Sequence, residues 1–176
     1  MRKPVAAIGS AVFFVAAPCV VAGLIPWWLT GWEMRQPVQP WWPIAAAGAV
    51  LLAASAAVLI HAFVRFVVEG VGTPAPVAPT RHLVVGGLYG YVRNPMYLAV
   101  VGAIVGQALL LGQLGLVGYA VVVALTVAAF VYAYEEPTLI GQFGAEYEAY
   151  RRAVPAWLPR LRPWRPDESR HSEPRA

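Results

Sequence analysis

The fold class predicted here is an all-α integral membrane protein, with about four transmembrane helices followed by a cytoplasmic amphipathic helix and tail. Three observations predict it. Hydrophobic residues make up 59% of the 176-residue chain, against roughly 45–50% in soluble domains. Charged residues make up 12%, about half the usual share. The charges also avoid the middle: between Gln36 and Tyr134 only Arg65, Glu69, Arg81 and Arg93 carry one. A soluble domain of this size would leave much of that apolar surface in water. An ordinary water-soluble globule and a disordered chain are therefore both excluded. The length suits a single domain, residues 1–162, with a disordered polar tail over 163–176.

A helix needs about 20 apolar residues to cross the hydrocarbon core. Residues 5–29 supply the first span, and Trp27, Trp28 and Trp32 mark its interface. The uncharged stretch from Pro4 to Trp32 exceeds the roughly 7–15-residue core of a signal peptide, so a retained span is expected. Cys19, the only cysteine, lies within it. It excludes an intrachain disulfide and reads as a small buried hydrophobe, and Pro18 before it argues against a lipoprotein signal. Residues 44–68 form the second span after an aromatic, proline-containing turn at Trp41 and Trp42. The connection from Glu69 to His82 is proline-rich, hence extended and stiff. Residues 95–112 and 115–134 are a helical hairpin folded about Gly112 to Gly115, the one turn-like cluster in that uncharged stretch. An interfacial helix is expected over 138–154. Phe143, Tyr147, Tyr150 and Val154 fall on one helical stripe there, while Glu148 and Arg152 pair favourably at i,i+4.

Orientation follows from the basic residues. With both termini in the cytoplasm, all of the 13 Lys and Arg residues except Arg35 lie at or near the cytoplasmic face. The positive-inside rule predicts that asymmetry, and an odd number of spans would destroy it. The same placement makes the net charge of +4 an orientation signal beside anionic lipid; no nucleic-acid partner is expected. His61 and His82 lack a second ligand at metal spacing, so no metal site is expected.

Chemistry concentrates in two clusters that this topology brings to the cytoplasmic face. Gly86, Gly87 and Gly90 lead through Arg93, Asn94 and Pro95 into the third span; Tyr134, Glu135, Glu136 and Pro137 leave the fourth. The glycines form no dinucleotide fingerprint, since no βαβ unit surrounds them, and read as a tight turn delivering Arg93. Because the two spans form a hairpin, Arg93 and the two glutamates are neighbours. Pro95 suits the first helical position with Asn94 as N-cap. The free N–H groups there, with Arg93, suit an anion, and the glutamates opposite suit a cation. A ligand bearing a carboxylate, an ammonium and a sulfonium fits that division. An Arg–Glu structural salt bridge would leave the same residues. Gly102 and Gly106 on the third span serve either close helix packing or room for a ligand.

Three blocks now carry a resemblance: residues 83–97, residues 135–139 and residues 143–159. In that order and spacing, over roughly Gly72 to Leu161, the chain resembles the isoprenylcysteine carboxyl methyltransferase family, and the related phospholipid N-methyltransferases share the pattern. The resemblance implies a membrane-embedded methyltransferase using S-adenosylmethionine and yielding S-adenosylhomocysteine. It implies a cofactor pocket built from Tyr91, Arg93, Asn94, Pro95, Tyr97, Leu98, Glu135, Glu136, Tyr147 and Tyr150. The acceptor it implies is a lipidic or prenylated molecule or protein entering from the bilayer, most simply an isoprenylcysteine-like carboxylate. Arg93, with Arg151 or Arg152, would hold that carboxylate; Glu136 would serve as base were the acceptor an amine. Asn94 stands where the eukaryotic prenyl-protein enzymes have histidine, and Ala99 replaces a common glycine. Membrane sterol reductases have a similar arginine–proline–tyrosine turn and use NADPH, and a non-catalytic membrane protein is a third reading. Few basic residues near the turn argue against the reductase, and no ionisable residue deep in a span argues against a transporter.

Overall fold

The computed structural model describes residues 16–70 and 82–165, and these are helical with no strand. The start of the first span, the proline-rich connection over 71–81 and the tail from 166 onward lie outside the described residues. Helix α1 is Ala16–Thr30, α2 is Trp42–Gly70, α3 is Pro95–Leu111, α4 is Gly115–Phe143 and α5 is Ala145–Ala153. Two of these, α2 through residues 42–62 and α4, are long and apolar enough to cross a membrane; α1 and α3 are shorter apolar helices.

Helix α1 contains Pro26, which lacks an N–H and so leaves the Ala22 carbonyl without its helical donor. A widened turn at Val20–Leu24 loosens the same stretch. Neighbouring helices answer both. Gln107 Nε2 on α3 donates to the Ala22 carbonyl at 2.6 Å, and the Tyr119 hydroxyl on α4 donates to Val21 at 2.9 Å. Away from water such groups need protein partners. Cys19 is exposed on the outer side of α1, which corrects the expectation that it would be buried. The apolar core here holds Ile104, Ala108, Leu116 and Ala120, so α1 contributes with its other face, through Val21 and Ala22.

Helices α2 and α3 approach closely because glycines face each other. A Cβ on Gly106 would stand 2.8 Å from the Leu52 nitrogen and 3.0 Å from the Gly48 oxygen. Gly106 therefore serves helix packing, whereas Gly102, one turn earlier, faces Ser55 and borders a cavity. The α3–α4 turn closes at Gly112, whose left-handed φ of 68° suits glycine. The loop before α2 docks on that end: Gln113 Nε2 donates to Glu33 and Trp41 Nε1 to Leu109. Trp27, Trp28, Trp32 and Trp42 are exposed around it. Trp41 is instead buried, and Trp164 packs beside the opposite cluster.

At the other end, α4 runs on to Phe143 and breaks at Gly144, whose φ is 51°. Helix α5 therefore starts at Ala145. The stripe of Tyr147, Tyr150 and Val154 is covered by the protein itself, against Leu83, Val85, Leu139, Ile140 and Phe143. The expectation of a membrane-facing stripe is corrected on this point. The pattern distinguishes a buried face from a polar one, and says nothing of what covers it.

Candidate active site

A short helical turn at Gly87–Gly90 brings the chain to Arg93. Gly87 has a φ of 58°, and a Cβ there would meet His61 Nε2 at 3.1 Å and Arg65 Nε at 3.2 Å. Gly90 has a different reason to lack a side chain: the Trp164 carbonyl would lie 3.1 Å from its Cβ. Residues 154–165 run back across this loop as a strap. Arg93 N donates to the Pro155 carbonyl at 3.0 Å, Arg160 N to Tyr91 at 3.0 Å and Trp164 N to Gly90 at 2.8 Å. Arg160 also donates from Nη1 to the Ala153 carbonyl at 2.7 Å, holding the strap to the end of α5. Asn94 takes the N-cap position of α3, but its side chain does not cap the helix. Its Nδ2 donates to Ala156 at 3.2 Å instead. The strap is thus fixed from three directions, and the Asn94 side chain leaves the N–H groups at the start of α3 uncapped.

The glutamates reach the site through a second widened turn, Val131–Glu135, within α4. Val131 and Glu136 are 2% and 3% exposed. Residues five apart would diverge on an α-helix, and the wider turn keeps both inward. Such turns often accompany functional sites. Arg93 Nη1 donates to Glu136 Oε1 at 2.6 Å and to the Tyr147 hydroxyl at 3.0 Å. Arg151 Nε lies 3.3 Å from Glu136 Oε2. Both oxygens of Glu136 therefore face guanidinium groups. Glu135 faces the other way, onto α3, where the Tyr97 hydroxyl donates to its Oε2 at 2.9 Å. No other hydrogen-bond donor among the described residues reaches Glu135. Tyr150 donates to the Tyr89 carbonyl at 2.8 Å. Burial pushes the phenols of Tyr147 and Tyr150 above the usual tyrosine value, although Arg93 opposes this in both.

Of the residues singled out by sequence, Arg93, Glu136, Tyr147 and Arg151 form one connected group, with Tyr97 and Glu135 beside it. Asn94 serves the strap and Tyr150 the turn. Arg152 is exposed on α5. Tyr91, Pro95 and Leu98 line a separate cavity of about 460 Å³ between α2 and α3, bounded also by Leu51, Ser55, Gly102 and Pro159. Sequence reasoning missed the α2 wall of that cavity and the strap contacts of Arg160 and Trp164. Pro155 and Pro159 signalled only the end of a helix, and nothing local in Ser55 or Leu51 marks a cavity wall.

Among the described residues one feature of the charge cluster is unresolved by the protein: the Arg93 Nε–H is buried and has no acceptor. A buried guanidinium donor left unpaired is costly. Within electrostatic reach of Arg93, facing α3, stands a second carboxylate, Glu135, whose hydrogen-bond partner is a neutral hydroxyl. The arrangement suits an anion at Arg93 and a cation at Glu135.

Fold and site together define a helical protein with two helices long and apolar enough to cross a membrane, a buried ion-pair cluster at one end and an apolar cavity next to it. The particular class follows from comparison with known families. A family model described as phospholipid methyltransferase matches residues 44–146, more than half the chain, and the chain belongs to that family. It is a membrane methyltransferase by that membership. No curated protein and no solved structure matches it.

Proposed function

We propose that the chain transfers a methyl group from S-adenosylmethionine to the polar head of a lipidic acceptor held in the α2–α3 cavity. The unpaired Arg93 Nε–H, with Glu135 within electrostatic reach of the same arginine, carries this reading. The residues fit the donor molecule: Arg93 would hold its carboxylate, and Glu135 its ammonium, with Tyr147 and Glu136 keeping the guanidinium in place. When bound, S-adenosylmethionine supplies a methyl group already activated on a sulfonium. The chain's remaining task is alignment, for which orientation supplies up to roughly 7–11 kcal/mol.

The acceptor's apolar part fits the cavity, which runs from Pro95 to Gly102, about 10 Å along α3 at 1.5 Å per residue. The family match favours a phospholipid-type amine as the head. An ammonium must then lose a proton, and with Glu135 committed to the donor, Glu136, whose Oε2 meets only the partly exposed Arg151 among the described residues, is the carboxylate left to accept it. The second reading, a carboxylate of an isoprenylcysteine-like acceptor, rests on the sequence blocks at 83–97, 135–139 and 143–159 and needs no base. Arg151, partly exposed, with Arg152 nearby, would then steer the acceptor. Four spans, with both termini cytoplasmic, complete the proposal.

Calorimetric binding of S-adenosylhomocysteine to detergent-purified protein tests the donor. Micromolar binding is expected, weakened ten- to a hundredfold in Arg93→Lys, which keeps the charge and loses the Nε–H. Absence of binding in a folded sample, with NADPH bound instead, would overturn the proposal in favour of a reductase. Methyl transfer to phosphatidylethanolamine against an S-prenylated cysteine then separates the two acceptors.

A further inference from the structure

The outer face of the strap is the least expected surface of the molecule. Leu158 is 79% exposed and Leu161 is 98% exposed. They flank Pro159, which closes one side of the α2–α3 cavity. Immediately before them, Trp157 Nε1 donates to the Tyr132 hydroxyl at 2.9 Å, and the two rings meet edge to face at 6.4 Å. Tyr132 lies on the exposed face of α4, a helix long and apolar enough to cross a membrane. The strap therefore leaves α5 and comes to rest against the lipid-facing side of α4. Tryptophan and tyrosine paired at that level are residues of the membrane–water boundary.

Charge adds a second, independent observation. Between Val154 and Arg165 there are three arginines, Arg160, Arg162 and Arg165, and no acid. Arg160 is used within the fold. Arg162 and Arg165 are exposed and have no hydrogen bond or ion pair among the described residues. Bare leucines followed by free arginines, next to a lipid-facing aromatic pair, are complementary to one partner: a bilayer surface carrying anionic headgroups.

We propose that the strap is an anionic-lipid contact, with Leu158 and Leu161 inserted at the boundary and Arg162 and Arg165 on the headgroups. Its backbone holds Tyr91, Gly90 and Arg93, so insertion steadies the loop that carries the charge cluster. Nothing in this requires the methyl-transfer reading to hold.

The test uses the full chain reconstituted in vesicles. A Leu161→Cys substitution in a Cys19→Ser background gives a single thiol for an environment-sensitive fluorophore. Leu161 touches almost nothing, so the label does not disturb the fold. Vesicles of phosphatidylcholine alone are compared with a two-to-one mixture of phosphatidylcholine and phosphatidylglycerol. Apolar emission, quenched by brominated lipid, is expected in the anionic vesicles and reduced in the neutral ones. Adding Arg162→Gln and Arg165→Gln should lower the inserted population about tenfold or more, and high salt should act in the same direction. The amides of Arg93, Arg160 and Trp164 should exchange more slowly in anionic vesicles. Aqueous emission in both vesicles would overturn the proposal. Equal apolar emission in both, indifferent to the arginines, would overturn its anionic part, and unchanged amide exchange would overturn the coupling to the loop.

Discussion

Glu135 and Glu136 are adjacent in sequence and opposite in circumstance. Glu136 is buried between two arginines, whereas Glu135 meets a tyrosine hydroxyl. Removing one partner of a buried ion pair leaves the other charge uncompensated and costs about 3–5 kcal/mol. Glu136→Ala should therefore lower stability by that order, read as a drop in thermal midpoint in detergent. Glu135→Gln keeps a hydrogen-bond acceptor for Tyr97 and should cost under about 1 kcal/mol of stability, while reducing S-adenosylhomocysteine affinity at least tenfold. Equal effects of the two substitutions on both readouts would contradict this division of roles. The sequence made both glutamates visible, because acids beside an apolar span need a reason. It did not separate them, since the widened turn that aims one at α3 and the other at Arg93 leaves no mark in residue type.

At the level of elements, helix irregularities are answered by side chains from neighbouring helices. Gln107→Leu would leave the Ala22 carbonyl unpaired at Pro26, at a cost of about 1–2 kcal/mol by comparison with other hydrogen bonds in membranes. Chemical denaturation in mixed micelles would measure it, and a change within error would mean that the wide turn satisfies the carbonyl by itself. The cavity offers a second test. Ala54 lines it on α2, so Ala54→Leu should shift activity towards acceptors with shorter chains, read as turnover against chain length. No change in that profile would place the chain elsewhere. The helices and the Gly112 hairpin were legible because apolar length and turn residues are local signals. The burial of the α5 stripe by Leu83 and Leu139, and the strap's return across Gly90, depend on contacts distant in sequence that no local pattern encodes.

For the whole molecule, the charge distribution makes a claim about sidedness. Arg35 stands alone among the basic residues on one side of the proposed topology. In a Cys19→Ser background, a cysteine at Gln36 and one at Arg162 should be labelled by a membrane-impermeant maleimide from opposite sides of sealed vesicles. Labelling of both from the same side would remove the four-span arrangement. The family membership reached through residues 44–146 stops short of the strap, yet the strap supplies three backbone contacts to residues 90–93.

Those contacts also have a consequence in time. The strap follows the five described helices in sequence, so a ribosome must release it after the helices it braces. Until then the Tyr91 carbonyl lacks the Arg160 amide, and the Arg93 amide lacks the Pro155 carbonyl. A nascent chain with these helices made would still hold Arg93 in a loose loop, and the newborn protein becomes competent only as the strap emerges.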